Sequence, residues 1–291
     1  MSIPDIKDYQ DDNQQRWLEK FLFPVRKLQR KRLAAIISQK TILITGASYG
    51  IGALLTEILS DFEVRLILVA RTAERLEELK QSLQEKPSSI VIYQTDIREE
   101  SQVNSLLDKF AIAKTAIDFY INNAGKSIHR GLEASVNRYD DTRRCSATNY
   151  TGPVQLLLGI LPGLIARQGH VINVSAQNVL LPPTAGWSAY QSSKTAFDQW
   201  LRCMEPELRN RNVMVSSVYL PLVRTRMSMV NPLNQKRAAM SKVKAAHAIL
   251  NCVIYKKRKY RPWWTGVPLF FSNLFPNLWY QLQREYLKKK N

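Results

Sequence analysis

The sequence predicts an α/β domain, a doubly wound parallel sheet with helices on both faces, extended at each end by basic helical segments. Three observations carry that expectation. Five short runs, 41–44, 64–70, 90–94, 117–121 and 169–174, are apolar and rich in β-branched residues, as strands buried on both faces are. The segments 53–59 and 74–85, which follow the first two runs, space their apolar residues as helices do. Between the first run and its helix stands Gly46-Ala47-Ser48-Tyr49-Gly50-Ile51-Gly52, where a strand would turn sharply into a helix.

Taken in order, the glycine stretch is the first element with chemistry in it. A tight turn at a helix N-terminus presents backbone N–H groups to a pyrophosphate, and the helix dipole favours the anion. Gly46, Gly50 and Gly52 would keep side chains out of the way. The second run ends in Ala70-Arg71. A carboxylate there would select a ribose 2′-hydroxyl, whereas a basic group suits a 2′-phosphate, so Arg71 favours NADP(H) over NAD(H). A solvated arginine opening the helix 74–85 is the plainer alternative, and Tyr49, where relatives that use NADP often carry Lys or Arg, argues against the phosphate. The third run leads into Asp96-Ile97 and the fourth into Asn122-Asn123-Ala124-Gly125.

Tyr190 and Lys194 lie four residues apart, so on a helix they share a face. A phenol titrates near ~10, too high for proton exchange at neutral pH, and a neighbouring ammonium favours the phenolate. The same spacing recurs at Tyr255 and Lys259 inside a basic run. The copy at Tyr190 is preferred because a strand precedes it; Tyr255 is expected on a solvated or membrane-facing surface.

Together, Thr45–Gly52, Asn122–Gly125, Asn149, Val174-Ser175 and Tyr190-Gln191-Ser192-Ser193-Lys194 resemble the short-chain dehydrogenase/reductase family over about residues 40–225. The resemblance implies a single Rossmann-like domain. It makes Tyr190 the general acid/base, Lys194 its tuner and the holder of the nicotinamide ribose, and Asn149 the anchor of a water-linked proton relay. It places Gly46, Ser48, Tyr49, Gly50, Ile51, Gly52, Arg71, Asp96, Ile97, Asn123, Ala124, Gly125, Val223 and Thr225 along the coenzyme. The substrate-orienting serine is where the pattern departs. Gln177 stands at its usual position, after Ser175-Ala176, and the loop 177–188 looks one residue longer. Either Ser175 takes the role or the hydroxyl is missing; Ser175 is favoured.

Two stretches, Ile121–Arg130 and Tyr219–Met227, look like bacterial fatty acyl-CoA reductases, which make long-chain aldehydes with NADPH. Leu220-Pro221 stands where ordinary relatives read Pro-Gly. The expected activity is NADP(H)-dependent reduction of a lipophilic carbonyl, with an acyl-CoA thioester the leading substrate class. Reduction of another hydrophobic ketone is the first alternative, and a cofactor-binding membrane scaffold the second. Residues 227–250 are expected to form a substrate lid, in which Met227, Met229 and Met240 could line an acyl tunnel or simply be adaptable core.

The 291 residues suit one domain, here 40–260, with a basic amphipathic extension at 1–39 and an aromatic, basic one at 261–291. Three scattered cysteines argue for a reducing, cytoplasmic setting, and three isolated histidines offer no metal-ligand spacing. The formal net charge of +18 is concentrated at the ends. Lys20 to Lys40 contains no Asp or Glu, and from residue 236 onward Glu285 is the only carboxylate side chain. Trp17, Phe21, Trp263, Trp264, Phe270, Phe271 and Phe275 interleave with these cations, as in a helix lying in a membrane interface. Anionic membrane, a sister subunit in a homo-oligomer, and the chain's own core are the surfaces such ends could cover; nucleic acid fits poorly, since no recognisable module accompanies them. No apolar run reaches the ~18–20 residues of a spanning helix, and no secretory signal is evident.

Overall fold

The computed structural model describes residues 13–235 and 237–288. Seven parallel strands form one sheet: β1 Thr41–Thr45, β2 Arg65–Ala70, β3 Ser89–Gln94, β4 Phe119–Asn122, β5 His170–Ala176, β6 Met214–Leu220 and β7 Lys259–Tyr260. Their order across the sheet is β3-β2-β1-β4-β5-β6-β7. The winding reverses between β1 and β4, and ligands of such sheets bind at the carboxyl ends of the strands flanking that reversal. Here those ends are Thr45-Gly46 and Asn122-Asn123.

Strand periodicity divides the interior into two layers. Ile42, Ile44, Leu66, Leu68, Ile121, Ile172 and Val218 point to one face, where the helices Gly50–Ser60, Lys242–Ile254 and Arg30–Ile37 cover them. Leu43, Ile67, Val69, Tyr120, Val171 and Val215 point to the other, under Glu100–Ile112, Gly152–Ala166 and Ser188–Asn210. Both faces are therefore buried, which is why the central strands read as continuous apolar runs. β6 and β7 were not among the runs expected to be strands. β6 follows the period of a buried strand, with Val215 and Val218 entering opposite layers.

The N-terminal extension joins the first layer. Phe23, Leu33 and Ile37 are fully enclosed in it. Burial of each is worth about 1.5–3 kcal/mol as an upper bound, so together they are comparable with the net stability of a domain. Glu19 is also buried; its carboxylate accepts a hydrogen bond from the Ser241 amide at 2.7 Å and lies 3.7 Å from Lys244 Nζ. Asn251 Nδ2 donates to the Arg26 carbonyl at 2.8 Å. This basic stretch thus covers the chain's own core with its apolar side and leaves Arg26, Lys27, Lys31 and Arg32 in solvent.

Two sequence expectations need correction. The lid does not reach residue 250. Residues 242–250 belong to the helix Lys242–Ile254, whose Ala245, Ala246, Ile249 and Leu250 are core, and Met240 is fully buried and bridged to Val223. Before that helix lie the short helices Arg226–Met229 and Pro232–Gln235. Nor is Tyr255 a solvated or membrane-facing residue. Its ring packs half-buried against the first layer, with Arg26 and Lys257 5.4 and 5.7 Å from its centroid, and Lys259 lies beyond its helix in β7.

Candidate active site

The glycine turn is built so that only backbone fits. Gly46 and Gly50 have φ of 66° and 62°, the left-handed region that glycine enters without strain. A Cβ at Gly46 would stand 2.8 Å from Ala124 Cα, and one at Gly52 would strike the Gly46 carbonyl and come within 2.7 Å of Asn123 Nδ2. Asn123 ties the turn down, donating from Nδ2 to the Thr45 and Gly46 carbonyls at 3.0 and 3.1 Å. The Thr45 hydroxyl accepts from the amides of Asn123 and Ala124, both at 3.2 Å. The helix Gly50–Ser60 starts on Tyr49 in extended conformation with no side-chain cap, which leaves its first N–H groups for an anion. Thr225 closes the opposite side, its Cγ2 3.6 Å from where a Gly50 Cβ would be, held by a reciprocal capping box with Ser228. Val223 is buried behind it. Ser48 and Ile51 are half-buried within the turn. A pyrophosphate fits this cradle of glycine backbone and uncapped amides.

Arg71, exposed at the end of β2, and Asp96, at the end of β3, flank the cradle. Burial alone would raise the Asp96 carboxyl, but hydrogen bonds from Arg98, with Nε 3.0 Å from both oxygens, hold it below the usual range. Ile97 is buried, and its carbonyl approaches Gly152 where a side chain would collide. Tyr49 is not a bare tyrosine. The Arg226 guanidinium lies 4.1 Å from its ring centroid, Arg75 lies 5.6 Å away, and Arg75 Nε donates to the Tyr49 hydroxyl at 3.1 Å. Two guanidinium groups thus stand against the uncharged residue at position 49. Arg226 comes from beyond β6, so no local pattern linked it to the turn.

Across the cradle, the helix Ser188–Asn210 carries Tyr190 and Lys194 on one face. Lys194 is buried, with Nζ donating to the Val174 carbonyl at 3.2 Å. A Cβ on Gly125 would stand 3.4 Å from that Nζ and 3.5 Å from Asn149 Oδ1, so Gly125 is the gap at which these two side chains meet. Asn149 sits in a π-helical turn, Ala147–Thr151, between two α-helices. Its Oδ1 accepts from the Lys126 amide at 2.8 Å; its Nδ2 donates to the Lys126 carbonyl at 2.8 Å and to Ser193 Oγ at 2.9 Å. The amide side chain is thus committed to the protein. Any relay through Asn149 uses its backbone, which the π-turn draws out of the ordinary helical ladder.

Burial pushes the Tyr190 phenol up to about 12 and the Lys194 amine down to about 8. Both shifts favour the neutral form: burial is the main cause, with Cys145 adding to the rise of the phenol and Asp198 opposing the fall of the amine. Tyr190 stacks obliquely on Trp187 at 5.7 Å, and Trp187 on His129 at 4.8 Å. Trp187 thus lies between the phenol and the His129 ring, a contact the sequence did not suggest.

Ser175 is buried on β5, and its hydroxyl has no partner among the described residues; the same is true of Gln177 Oε1. The loop beyond hangs on Gln191, whose Nε2 donates to the carbonyls of Asn178, Leu181 and Pro182 at 2.7, 3.1 and 3.3 Å. Its Oε1 accepts from the Thr184 amide at 3.0 Å. A cavity of about 260 Å³, lined by Ile128, Arg130, Tyr139, Asp141, Gly186 and Ser188 among others, opens next to this loop.

Residues 40–236 match the family model described as short chain dehydrogenase. The chain belongs to the short-chain dehydrogenase/reductase family. It is accordingly an NAD(P)-dependent oxidoreductase of that family, with fatty acyl-CoA reductases among its relatives. It is 34% identical over 234 residues to a fatty acyl-CoA reductase of Acinetobacter baylyi, covering 79% of each chain. It is 33% identical over 192 residues to a fatty acyl-CoA reductase of Mycobacterium tuberculosis, covering 66% of this chain and 65% of that one. Among solved structures, a short-chain dehydrogenase of Sphingobium yanoikuyae in complex with NADPH superposes with a TM-score of 0.69 at 23% identity, over 76% of this chain and 86% of that one. One from Burkholderia cenocepacia in complex with NADP reaches 0.71 at 22% identity, over 84% and 98%. These two likenesses show the same fold.

Proposed function

We propose that this short-chain reductase uses NADP(H) to reduce a lipophilic carbonyl, with a long-chain acyl-CoA thioester as the preferred substrate class and an aldehyde as product. The observation that carries the reading is the meeting of Lys194 and Asn149 at Gly125, beside the glycine cradle, with Tyr190 one turn before Lys194 on the same helix. Gly46, Ser48, Tyr49, Gly50, Ile51, Gly52, Asn123, Ala124, Val223 and Thr225 would hold the dinucleotide, with Asp96 and Ile97 at its adenine end. The choice of NADP(H) rests on Arg71, Arg75 and Arg226, since guanidinium groups bind phosphate through charge-assisted bonds. The names of the two bacterial relatives support the acyl-CoA class, as does the Trp187 ring beside the phenol.

The reduced nicotinamide would supply the hydride. Tyr190 gives its proton to the carbonyl oxygen, a role its raised pKa suits, because the phenol stays protonated at neutral pH until a strong base forms next to it. Lys194 is held 3.2 Å from Val174 O, where it can favour the tyrosinate left behind. Ser175 Oγ, buried near the end of β5 with no partner among the described residues, is the group that would donate to the carbonyl oxygen and orient it. Thioester reduction takes up one hydride and one proton and releases a thiol together with the aldehyde.

The experiment is anaerobic NADPH oxidation with a panel of acyl-CoAs, aldehydes and ketones, with free thiol assayed in parallel. Stoichiometric thiol with an acyl-CoA is the expected result, and Tyr190→Phe should lower turnover by roughly 10²–10⁴-fold while NADPH still binds. Turnover of ketones without thiol would move the substrate class. No consumption with any member of the panel, by wild type and Tyr190→Phe alike, would remove the reductase reading.

A further inference from the structure

The two ends of the chain meet in one exposed aromatic face. Trp17 stacks on Phe21 at 5.9 Å, Phe21 meets Trp263 edge-on at 5.6 Å, and Trp263 Nε1 donates to the Phe21 carbonyl at 3.1 Å. The helix Gly266–Leu274 follows directly, and its Val267, Phe270, Phe271 and Leu274 recur at the spacing of one helical face. All four are more than half exposed, Phe270 by 64%. The next helix, Pro276–Lys288, adds Leu278 and Leu282 in the same condition. Exposed Lys20, Arg26, Lys27, Arg261, Arg284 and Lys288 accompany these residues.

From this juxtaposition we propose that the joined ends are a docking face for an anionic lipid surface. Aromatic and aliphatic side chains on one stripe, with cations beside them, are what holds a helix in a bilayer interface. A second copy fits less well. A two-fold contact through this face would set the same cations against each other, with Glu285 the only carboxylate side chain after residue 236 to offset them. A bilayer with negative headgroups offers opposite charge and takes convex aromatic stripes without a matching groove. No described helix is long and apolar enough to cross the membrane, so the contact is with one leaflet.

The face is fastened to the candidate site. Trp279 Nε1 donates to the Pro183 carbonyl at 3.1 Å, Gln283 Nε2 donates to the same oxygen, and Gln283 Oε1 accepts from the Ala185 amide at 2.9 Å. That loop runs into Trp187 and Tyr190, so docking would set the mouth of the pocket against the lipid. This last consequence rests on the reductase reading; the docking itself does not.

The test is co-sedimentation of the full chain with phosphatidylcholine vesicles, with and without phosphatidylglycerol, at low and high salt. Binding at least tenfold stronger to the anionic vesicles and weakened by salt is expected, and a Phe270→Glu/Phe271→Glu variant should lose most of it while binding NADPH normally. Should that variant fail to fold, Val267→Glu on the same stripe takes its place. Tryptophan quenching by brominated lipid gives a second readout, placing rings among the acyl chains. Equal binding by wild type and variant, no preference for anionic vesicles, or a wild-type oligomer that the variant dissolves without any vesicle binding would each overturn the proposal. None of these readouts depends on turnover, so a failed reductase assay leaves them intact.

Discussion

The coenzyme half of the site and its substrate half are built on opposite plans. Around the glycine turn the backbone does the work: Asn123 and Thr45 stitch β1 to β4, and the clearances at Gly46 and Gly52 leave no room for a side chain. On the other side, Ser175 Oγ and Gln177 Oε1 are buried without partners, and the loop after them depends on one glutamine and a C-terminal helix. A dinucleotide is the same in every enzyme that uses it, so backbone can be committed to it. A substrate has to be chosen, and choice is left to side chains.

The largest effect is expected where the rigid half is broken. Gly52→Val would drive carbon into the Gly46 carbonyl and Asn123, neither of which can yield. Coenzyme affinity should fall by more than about 100-fold, and overpacking should cost about 1–3 kcal/mol in a thermal or denaturant melt. Gly163→Ala, a position with open space around it, should change neither. Retained NADPH binding in Gly52→Val, followed by fluorescence titration, would show the cradle to be softer than its distances imply.

Next in size is the rim. Removing both guanidinium groups in Arg75→Ala/Arg226→Ala should lower the NADPH-to-NADH ratio of kcat/KM by roughly tenfold to 100-fold, the worth of one or two charge-assisted bonds. An unchanged ratio would place the 2′-phosphate elsewhere. Smaller again is Gln191→Leu, which frees three carbonyls and the loop they hold. It should cost about 1–3 kcal/mol of stability and raise the substrate KM with coenzyme affinity unchanged, so the two halves respond separately.

The smallest effect is a pH slope. Burial lowers the Lys194 amine from its usual 10.5 to about 8. Between those values the folded chain holds fewer protons than the unfolded one, so stability rises with pH across that window, and below about 8 the buried charge is a constant penalty. Tyr190 acts in the opposite sense only above its ordinary 10, up to about 12. The difference in unfolding free energy between wild type and Lys194→Met, followed from pH 7 to about 10, should show the rise; a flat difference would mean the amine is not desolvated.

How much was legible follows the same division. β1 to β5 and the helix after the glycine turn announce themselves, because a buried parallel strand must be apolar throughout and a phosphate turn must be glycine. That Tyr190 and Lys194 share a helix face was legible from their spacing, whereas Asn149 was singled out only by the resemblance. Arg75, Arg226, Trp187 and His129 were not, since each acts through a tertiary neighbour rather than a repeat in its own segment. The lid was drawn too long for a related reason: the helix Lys242–Ile254 has apolar residues on several sides, and only its burial shows that it is core. At the N-terminal side, charge left several surfaces open for Lys20 to Lys40, and the burial of Phe23, Leu33 and Ile37 shows that the chain's own core is one of them.

The bond from the Ser241 amide to the Glu19 carboxylate joins positions 222 residues apart. At about 5–20 residues per second, a ribosome needs roughly 10–45 s to deliver the second after the first. For that interval the nascent segment bearing Phe23, Leu33 and Ile37 lacks the helix Lys242–Ile254 that it packs with in the folded chain. Biogenesis of this enzyme is thus timed by the arrival of its own late helix.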